Sequence, residues 1–231
     1  MKADLLARLN RLRAEKRPVA LVTDLVTGLQ ALVTDEGTHG GFALFPEDLE
    51  TVRRRVCDDR SGVLEEGDQR LFVHVFTPPL RLVVVGAVHI AQALVPMAGH
   101  LGYAVTLVDP RRAFGTAERF PGTDLVDAWP DEALAALAPD RRTAVVTLTH
   151  DPKLDDPALM VALRSDAFYV GSLGSRKTHA KRVERLREAG LSEAEIARLR
   201  APVGLDIGAI TPAEIAVSVL AEITQALRRG G

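Results

Sequence analysis

The stretch that most limits the fold is Arg81–Asp109, which reads as a buried strand, a glycine turn, a helix and a second strand ending in an acid. Residues 82–85, Leu-Val-Val-Val, form a short apolar run suited to a parallel strand covered on both faces. Gly86 permits a sharp turn into a helix starting near His89. This is the first half of a Rossmann unit, and it predicts an α/β fold built on a Rossmann-like parallel sheet. Asp109 falls 23 residues after Gly86, where a dinucleotide fold places the acid that holds a ribose hydroxyl. Of the small positions in G-x-G-x-x-G/A, Gly86 serves the turn and Ala91 suits close packing, but the middle position is Val88. Its side chain fills the space through which a pyrophosphate approaches, which disfavours ordinary NAD(P) binding and leaves a helix N-terminus suited to an anion.

At 231 residues the chain has room for one large domain or for a small one joined to a medium one. No apolar run approaches the roughly 20 residues of a spanning helix, and the first residues lack a signal peptide's apolar core and cleavage site. The formal charge of -2 gives no broad basic surface and argues against duplex nucleic acid. A single cysteine, Cys57, excludes an internal disulfide and a cysteine-cluster metal site. A cytoplasmic protein without membrane or nucleic-acid partners is the expectation.

Leu5, Leu6, Leu9 and Leu12 recur at helical spacing over residues 3–16. Residues 19–23 and 30–34 read as strands joined around Gly28, and Gly37–Gly41 as a flexible turn holding a solvated His39. Pro46, Glu47 and Asp48 open a helix to about Val56. Cys57 follows beside Asp58-Asp59, whose charges oppose a thiolate, and reads as a bystander rather than a nucleophile. A hairpin over 62–66 and 70–76 turns at Glu66–Gln69, and Thr77-Pro-Pro79 stiffens the link that follows. A small α+β domain at 1–78 therefore precedes the Rossmann-like domain at 79–231.

In the second domain, Arg111 and Arg112 sit beside Asp109, where they could meet a ribose phosphate or another anion. Residues 113–122 read as a loop with a short helix, 124–128 as a weak strand and 130–138 as a helix. The strand at 143–147 ends in His150-Asp151, at the carboxyl edge where open α/β sheets hold ligands; helix capping is the competing reading for Asp151 and Asp155. Gly171-Ser-Leu-Gly174-Ser175-Arg176 is a strand-to-helix turn, and Arg176, Lys177, His179, Lys181 and Arg182 crowd a helix start where cations are disfavoured. An anion bound there, with Ser172 and Ser175 beside it, would resolve the conflict. Thr211, Pro212 and Glu214 spell a capping box for a helix to about Leu227, while Asp206 lies between Gly204 and Gly208 in a loop near the strand ends.

Taken together, Gly86-Ala-Val-His89-Ile-Ala-Gln92, His150-Asp151, Gly171–Arg176 and Pro202-Val-Gly-Leu-Asp-Ile-Gly-Ala209 resemble, in this order and spacing, the XdhC/CoxI family over about residues 79–228. The resemblance implies a maturation factor for xanthine and carbon monoxide dehydrogenases. Such a factor binds the molybdenum cofactor, a molybdopterin that is often a dinucleotide, protects it during sulfuration and passes it to an apo molybdenum hydroxylase. A cysteine desulfurase and a second copy of the chain are further partners on this view. The implied cofactor-binding residues are Gly86, Ala87, Val88, His89, Asp109, Arg111, His150, Asp151, Gly171, Ser172, Gly174, Ser175, Arg176, Gly204 and Asp206. The sequence shows no activated nucleophile or acid-base pair, which favours a carrier over a catalyst, with a histidine beside an aspartate conceivable as a general base. An NAD(P)-dependent oxidoreductase and a nucleotide-sensing interaction module stay open as alternatives.

Overall fold

Alternation of apolar residues builds the first unit, Met1–Pro78, in a computed structural model that describes residues 2–66 and 69–229. Its elements are α1 (Ala3–Ala14), β1 (Val19–Asp24), β2 (Gln30–Thr34), β3 (Gly37–Gly40), α2 (Pro46–Cys57), β4 (Gly62–Glu66) and β5 (Gln69–Phe76). The strands form an antiparallel sheet in the order β3-β2-β1-β5-β4. Successive residues of β1 point to opposite faces. Val19 and Leu21 cluster with Leu5, Leu9 and Leu12 of α1, whereas Ala20 and Val22 cluster with Val52 of α2.

The segment read as a flexible turn at Gly37–Gly41 instead contains strand β3, paired with β2 from Thr34↔Gly37 to Ala31↔Gly40. A β-carbon on Gly40 would stand 2.5 Å from the Ala31 Cα, so glycine is what lets this edge strand close on its neighbour. Cross-strand pairing has overridden a composition poor in strand formers. The hairpin β4–β5 forms as expected, with residues 67 and 68 of its turn outside the described residues. Cys57 is the last, exposed residue of α2.

The second unit, Pro79–Gly231, contains β6 (Arg81–Val85), α3 (His89–His100), β7 (Ala104–Val108), β8 (Asp124–Val126), α4 (Pro130–Leu137), β9 (Thr143–Thr147), α5 (Pro152–Arg164), β10 (Tyr169–Ser172), α6 (Arg176–Glu188), α7 (Glu193–Ile196), β11 (Leu199–Arg200) and α8 (Pro212–Arg229). All its strands run parallel, in the order β11-β10-β9-β6-β7-β8. Leu82 and Val84 pack with Leu94 and Ala98 of α3 and Val219 and Ile223 of α8. Val83 and Val85 face the other layer, where Leu134, Leu159 and Leu186 come from α4, α5 and α6. A sheet covered on both faces explains why its strands are continuous apolar runs. The expected α/β class holds. Residues 113–122 differ, forming turns and no helix. Among the described residues no helix is long and apolar enough to cross a membrane.

The chain leaves β6 toward β7 and β8, then returns to the opposite side of β6 to lay down β9, β10 and β11. The loops after β6 and β9 therefore diverge at a topological switch point, where this architecture opens a crevice at the strand ends. Leu94 is fully buried between the sheet and α8. Leu94→Ala is expected to cost about 2–5 kcal/mol, read as a lower urea midpoint with an unchanged slope.

Candidate strand-end ligand site

The first wall of the crevice is the turn from β6 into α3. Gly86 has φ +108 and would, with a β-carbon, stand 2.6 Å from the Thr149 methyl and 3.3 Å from the Thr149 nitrogen. Here glycine admits the neighbouring loop of the protein itself. Ala87 is buried; its N–H donates to Asp109 Oδ2 at 2.8 Å. Val88 is the N-cap of α3, with no side-chain cap, and His89 follows as an exposed first helical residue.

Asp109 is 4% exposed, and the protein uses both its oxygens. Besides Ala87, it accepts from the Arg111 backbone N–H at 2.9 Å and from the Arg111 guanidinium through Nε at 2.9 Å and Nη2 at 2.8 Å. Burial alone would raise its pKa, but the bonds from Arg111 and Ala87 outweigh that and hold it below the ordinary carboxylate value. The expected polar contact from Asp109 to a ligand is thus replaced by a latch between the β6–α3 turn and the end of β7. Arg111 is correspondingly committed to Asp109, with its guanidinium stacked 4.6 Å from the Phe114 ring, and Arg112 pairs with Asp127. Asp109 also raises the Arg111 pKa, with smaller contributions from Asp151 and Asp155 of the adjacent loop. Arg119, which sequence patterns did not single out, donates to the carbonyls of Ala87 at 3.1 Å and Phe114 at 2.5 Å. Nothing in its neighbourhood of the sequence signals that reach.

The loop after β9 forms the second wall. His150 is exposed and takes a left-handed backbone, φ +63, which costs a residue with a β-carbon about 1–2 kcal/mol. Its N–H donates to buried Asp155 at 3.1 Å, and Asp155 also accepts the Thr149 hydroxyl at 2.6 Å. Asp151 takes the capping role, its Oδ1 accepting the Lys153 N–H at 2.9 Å at the start of α5. Asp155 does not cap in that sense; it organises the loop. Burial pushes its carboxyl above the ordinary value, against the hydrogen bond from Thr149 and the charge of Arg182.

On the β10–α6 side the expected residues divide. Ser172 is fully buried with its hydroxyl 2.6 Å from that of Thr147, so it bridges adjacent strands instead of facing a ligand. A β-carbon on Gly171 would stand 2.6 Å from Val203, and this glycine likewise serves packing. Gly174 has φ +145; Ser175 is the N-cap of α6, accepting the Thr178 N–H at 3.2 Å. Arg176 and Lys177 are exposed, and the first turn of α6 holds no acid. Arg182 departs from the expected basic cluster because it is buried and directed inward, donating to the Leu173 carbonyl at 3.1 Å. Burial, with the Arg182 charge nearby, lowers the His179 pKa and favours a neutral ring.

The last loop begins at Gly204, φ +98, where a β-carbon would stand 2.4 Å from the Ser218 hydroxyl. Its N–H donates to Glu222 at 2.7 Å, and the Tyr169 hydroxyl donates to the same oxygen at 2.5 Å. Burial is the main cause of a raised Tyr169 pKa. Asp206 is exposed. The capping box closes as expected, with Thr211 N–H to Glu214 at 2.8 Å and Glu214 N–H to Thr211 at 3.3 Å. A cavity of about 60 Å³ lies at the edge, among Asp109, Arg112 and Gly115. It is far below the roughly 300 Å³ of a small-molecule pocket. A cavity of about 430 Å³ lies in the first unit and includes His39, Gln30 and Lys2 in its lining. Among the described residues no cluster of His, Cys, Asp and Glu could hold a metal ion.

A doubly wound parallel sheet with glycine turns at its switch point and a basic helix start beside it defines a Rossmann-like domain. The chain belongs to the family of the XdhC Rossmann domain, whose model matches residues 82–223. It is 34% identical over 148 residues to the molybdenum cofactor insertion chaperone PaoD of Escherichia coli, covering 64% of this chain and 40% of PaoD. A protein of Bacillus subtilis named as a probable xanthine dehydrogenase subunit is 31% identical over 216 residues, covering 92% of this chain and 62% of that protein. A crystal structure described as a xanthine dehydrogenase from Bacillus halodurans superposes with a TM-score of 0.76 at 25% identity, covering 100% of this chain and 66% of the other. This chain is thus similar to parts of longer proteins.

Asp109→Ala leaves the Ala87 N–H and the Arg111 guanidinium without their acceptor, and is expected to destabilise the protein by about 3 kcal/mol at pH 7. Because the folded pKa is depressed, this stabilisation is present above the ordinary carboxylate value of 3.8 and is lost as pH falls through the lower folded value. Urea unfolding of both proteins at pH 7 and near pH 3 should show the difference narrowing in acid.

Proposed function

We propose that this protein binds the molybdenum cofactor across the strand ends of its second unit and delivers it, sulfurated, to an apo molybdenum hydroxylase such as xanthine dehydrogenase. The observation that carries the reading is the start of α6: Ser175, Arg176 and Lys177 stand at the positive end of a helix dipole with no acid in the first turn. That set of donors suits the phosphate of a pterin cofactor. Gly174 and Ser175 supply the turn, Arg176 the charge, and His150 and Asp206, both exposed, polar contacts to the pterin or nucleotide. Asp109, Arg111, Asp151 and Ser172 support these groups from behind, through the bonds they make within the protein. When bound, the cofactor supplies the molybdenum chemistry of the recipient enzyme; the chain itself holds, orients and releases.

The similarity to a cofactor insertion chaperone supports a carrier. Use of Asp109 as an internal latch, together with Val88 in the middle glycine position, weighs against a nicotinamide-dependent oxidoreductase. A cysteine desulfurase as sulfur donor and a homodimer fit the same role.

Protein purified anaerobically from cells with an active molybdopterin pathway should carry pterin, detected by fluorescence of its oxidised derivative and by mass spectrometry. Arg176→Glu combined with Lys177→Glu should reduce that load at least about tenfold with an unfolding midpoint no lower than that of the wild type. Pterin-free wild-type protein, or an unaffected double variant, would contradict the proposal.

A further inference from the structure

A pair of buried charges links the loop that carries His150 to the helix that begins at Arg176. Asp155 of α5 is 1% exposed and accepts the Thr149 hydroxyl at 2.6 Å, the Thr149 N–H at 3.3 Å and the His150 N–H at 3.1 Å. Arg182 of α6, also 1% exposed, stands 3.5 Å from Asp155 and donates to the Leu173 carbonyl at 3.1 Å. The Leu173 N–H in turn donates to the Thr147 carbonyl at 2.9 Å, at the end of the strand that leads back to Thr149. The contacts thus form a closed ring through both strand-end loops.

Stability alone does not explain this pair, because withdrawing two charges from water can cost more than their attraction returns. The hydrogen bonds are also informative: those Asp155 accepts and the one from Arg182 to Leu173 reach loop backbone or the loop's own Thr149, not the core. The Arg182 nitrogens Nε and Nη1 are buried without a hydrogen bond; Nε stands 4.0 Å from Asp156 Oδ1, and Nη1 lies 3.8 Å from where a β-carbon on Gly174 would stand. The guanidinium therefore reaches beneath the turn that precedes α6. At the other end of the ring, Asp155 holds His150 in its left-handed conformation.

We propose that Asp155 and Arg182 are positioning residues that couple the backbone at Thr149–His150 to the backbone at Leu173–Ser175, so that a ligand ordering one loop orders the other. The use of this coupling in cofactor binding rests on the function proposed above; the coupling itself does not.

Amide hydrogen exchange on the full, ligand-free chain tests it, with the variants Arg182→Met, Arg182→Lys and Thr149→Val. Arg182→Met should speed exchange at the Thr149 and His150 amides, which Arg182 does not touch, by about tenfold or more. Arg182→Lys should do so less, since it keeps the charge. Thr149→Val, which leaves both buried charges in place, should speed exchange at Leu173–Ser175 several-fold. The Ala87 amide, held by Asp109, should stay within about twofold and so report any general loosening. Changes confined to each variant's own loop, or an equal rise at Ala87, would overturn the proposal, and if Arg182→Met fails to fold, Thr149→Val decides by the same criteria. Coupled exchange in a wild type that carries no pterin would remove the cofactor reading and leave the pair, whereas a pterin-loaded protein with independent loops would do the reverse.

Discussion

The carboxylate of Asp109 fixes the geometry on which the switch-point crevice depends. It joins the end of one strand to the turn after its neighbour, by taking a backbone N–H on one side and a guanidinium on the other. A parallel sheet leaves its strand ends as loops with unpaired backbone groups, and loops of that kind drift unless side chains hold them. Here the holding groups are carboxylates placed just inside the edge. Asp109 serves the loop after β6, Asp155 the loop after β9 and Glu222 the loop that starts at Gly204. The glycines complete the arrangement by letting the loops lean on one another, as Gly86 does on Thr149 and Gly204 on Ser218.

This arrangement inverts the use of a dinucleotide fingerprint. In that motif the turn glycine, the backbone N–H after it and the acid at the second strand end are directed to a nucleotide. In this chain the same positions are occupied by Gly86, Ala87 and Asp109, and they satisfy each other. What is left facing outward is a different set: His150, the start of α6 and Asp206. On the function proposed above, the inward set holds the loops while the outward set is the one left to meet cargo.

Much of the fold was legible because its signals are local. The run at 82–85, the turn at Gly86 and the helix from His89 follow from hydrophobic order and one glycine, and the box at Thr211 and Glu214 follows from capping chemistry. Strand β3 was not legible, since its glycines carry no strand preference and only the neighbouring strand creates it. At the candidate site, residue types were legible but directions were not. A sequence places Ser172 and Arg182 near a glycine turn; it does not reveal that one hydroxyl finds Thr147 within the sheet or that one guanidinium points down its helix to Asp155. Those outcomes depend on groups 25 and 27 positions away, beyond the reach of motif spacing.

The bond from Tyr169 to Glu222 has a bearing on how this domain is put together. A single carboxylate oxygen on α8 receives the phenol of a central strand and the amide of Gly204. Without α8 both donors would lose their carboxylate acceptor, and the sheet would lose the cover of Ala216, Val219 and Ile223 as well. A helix that emerges after every strand of the sheet is therefore the one that seals them. Until it docks, the nascent sheet keeps an oily flank open to water, and assembly of this unit is bound to the arrival of α8.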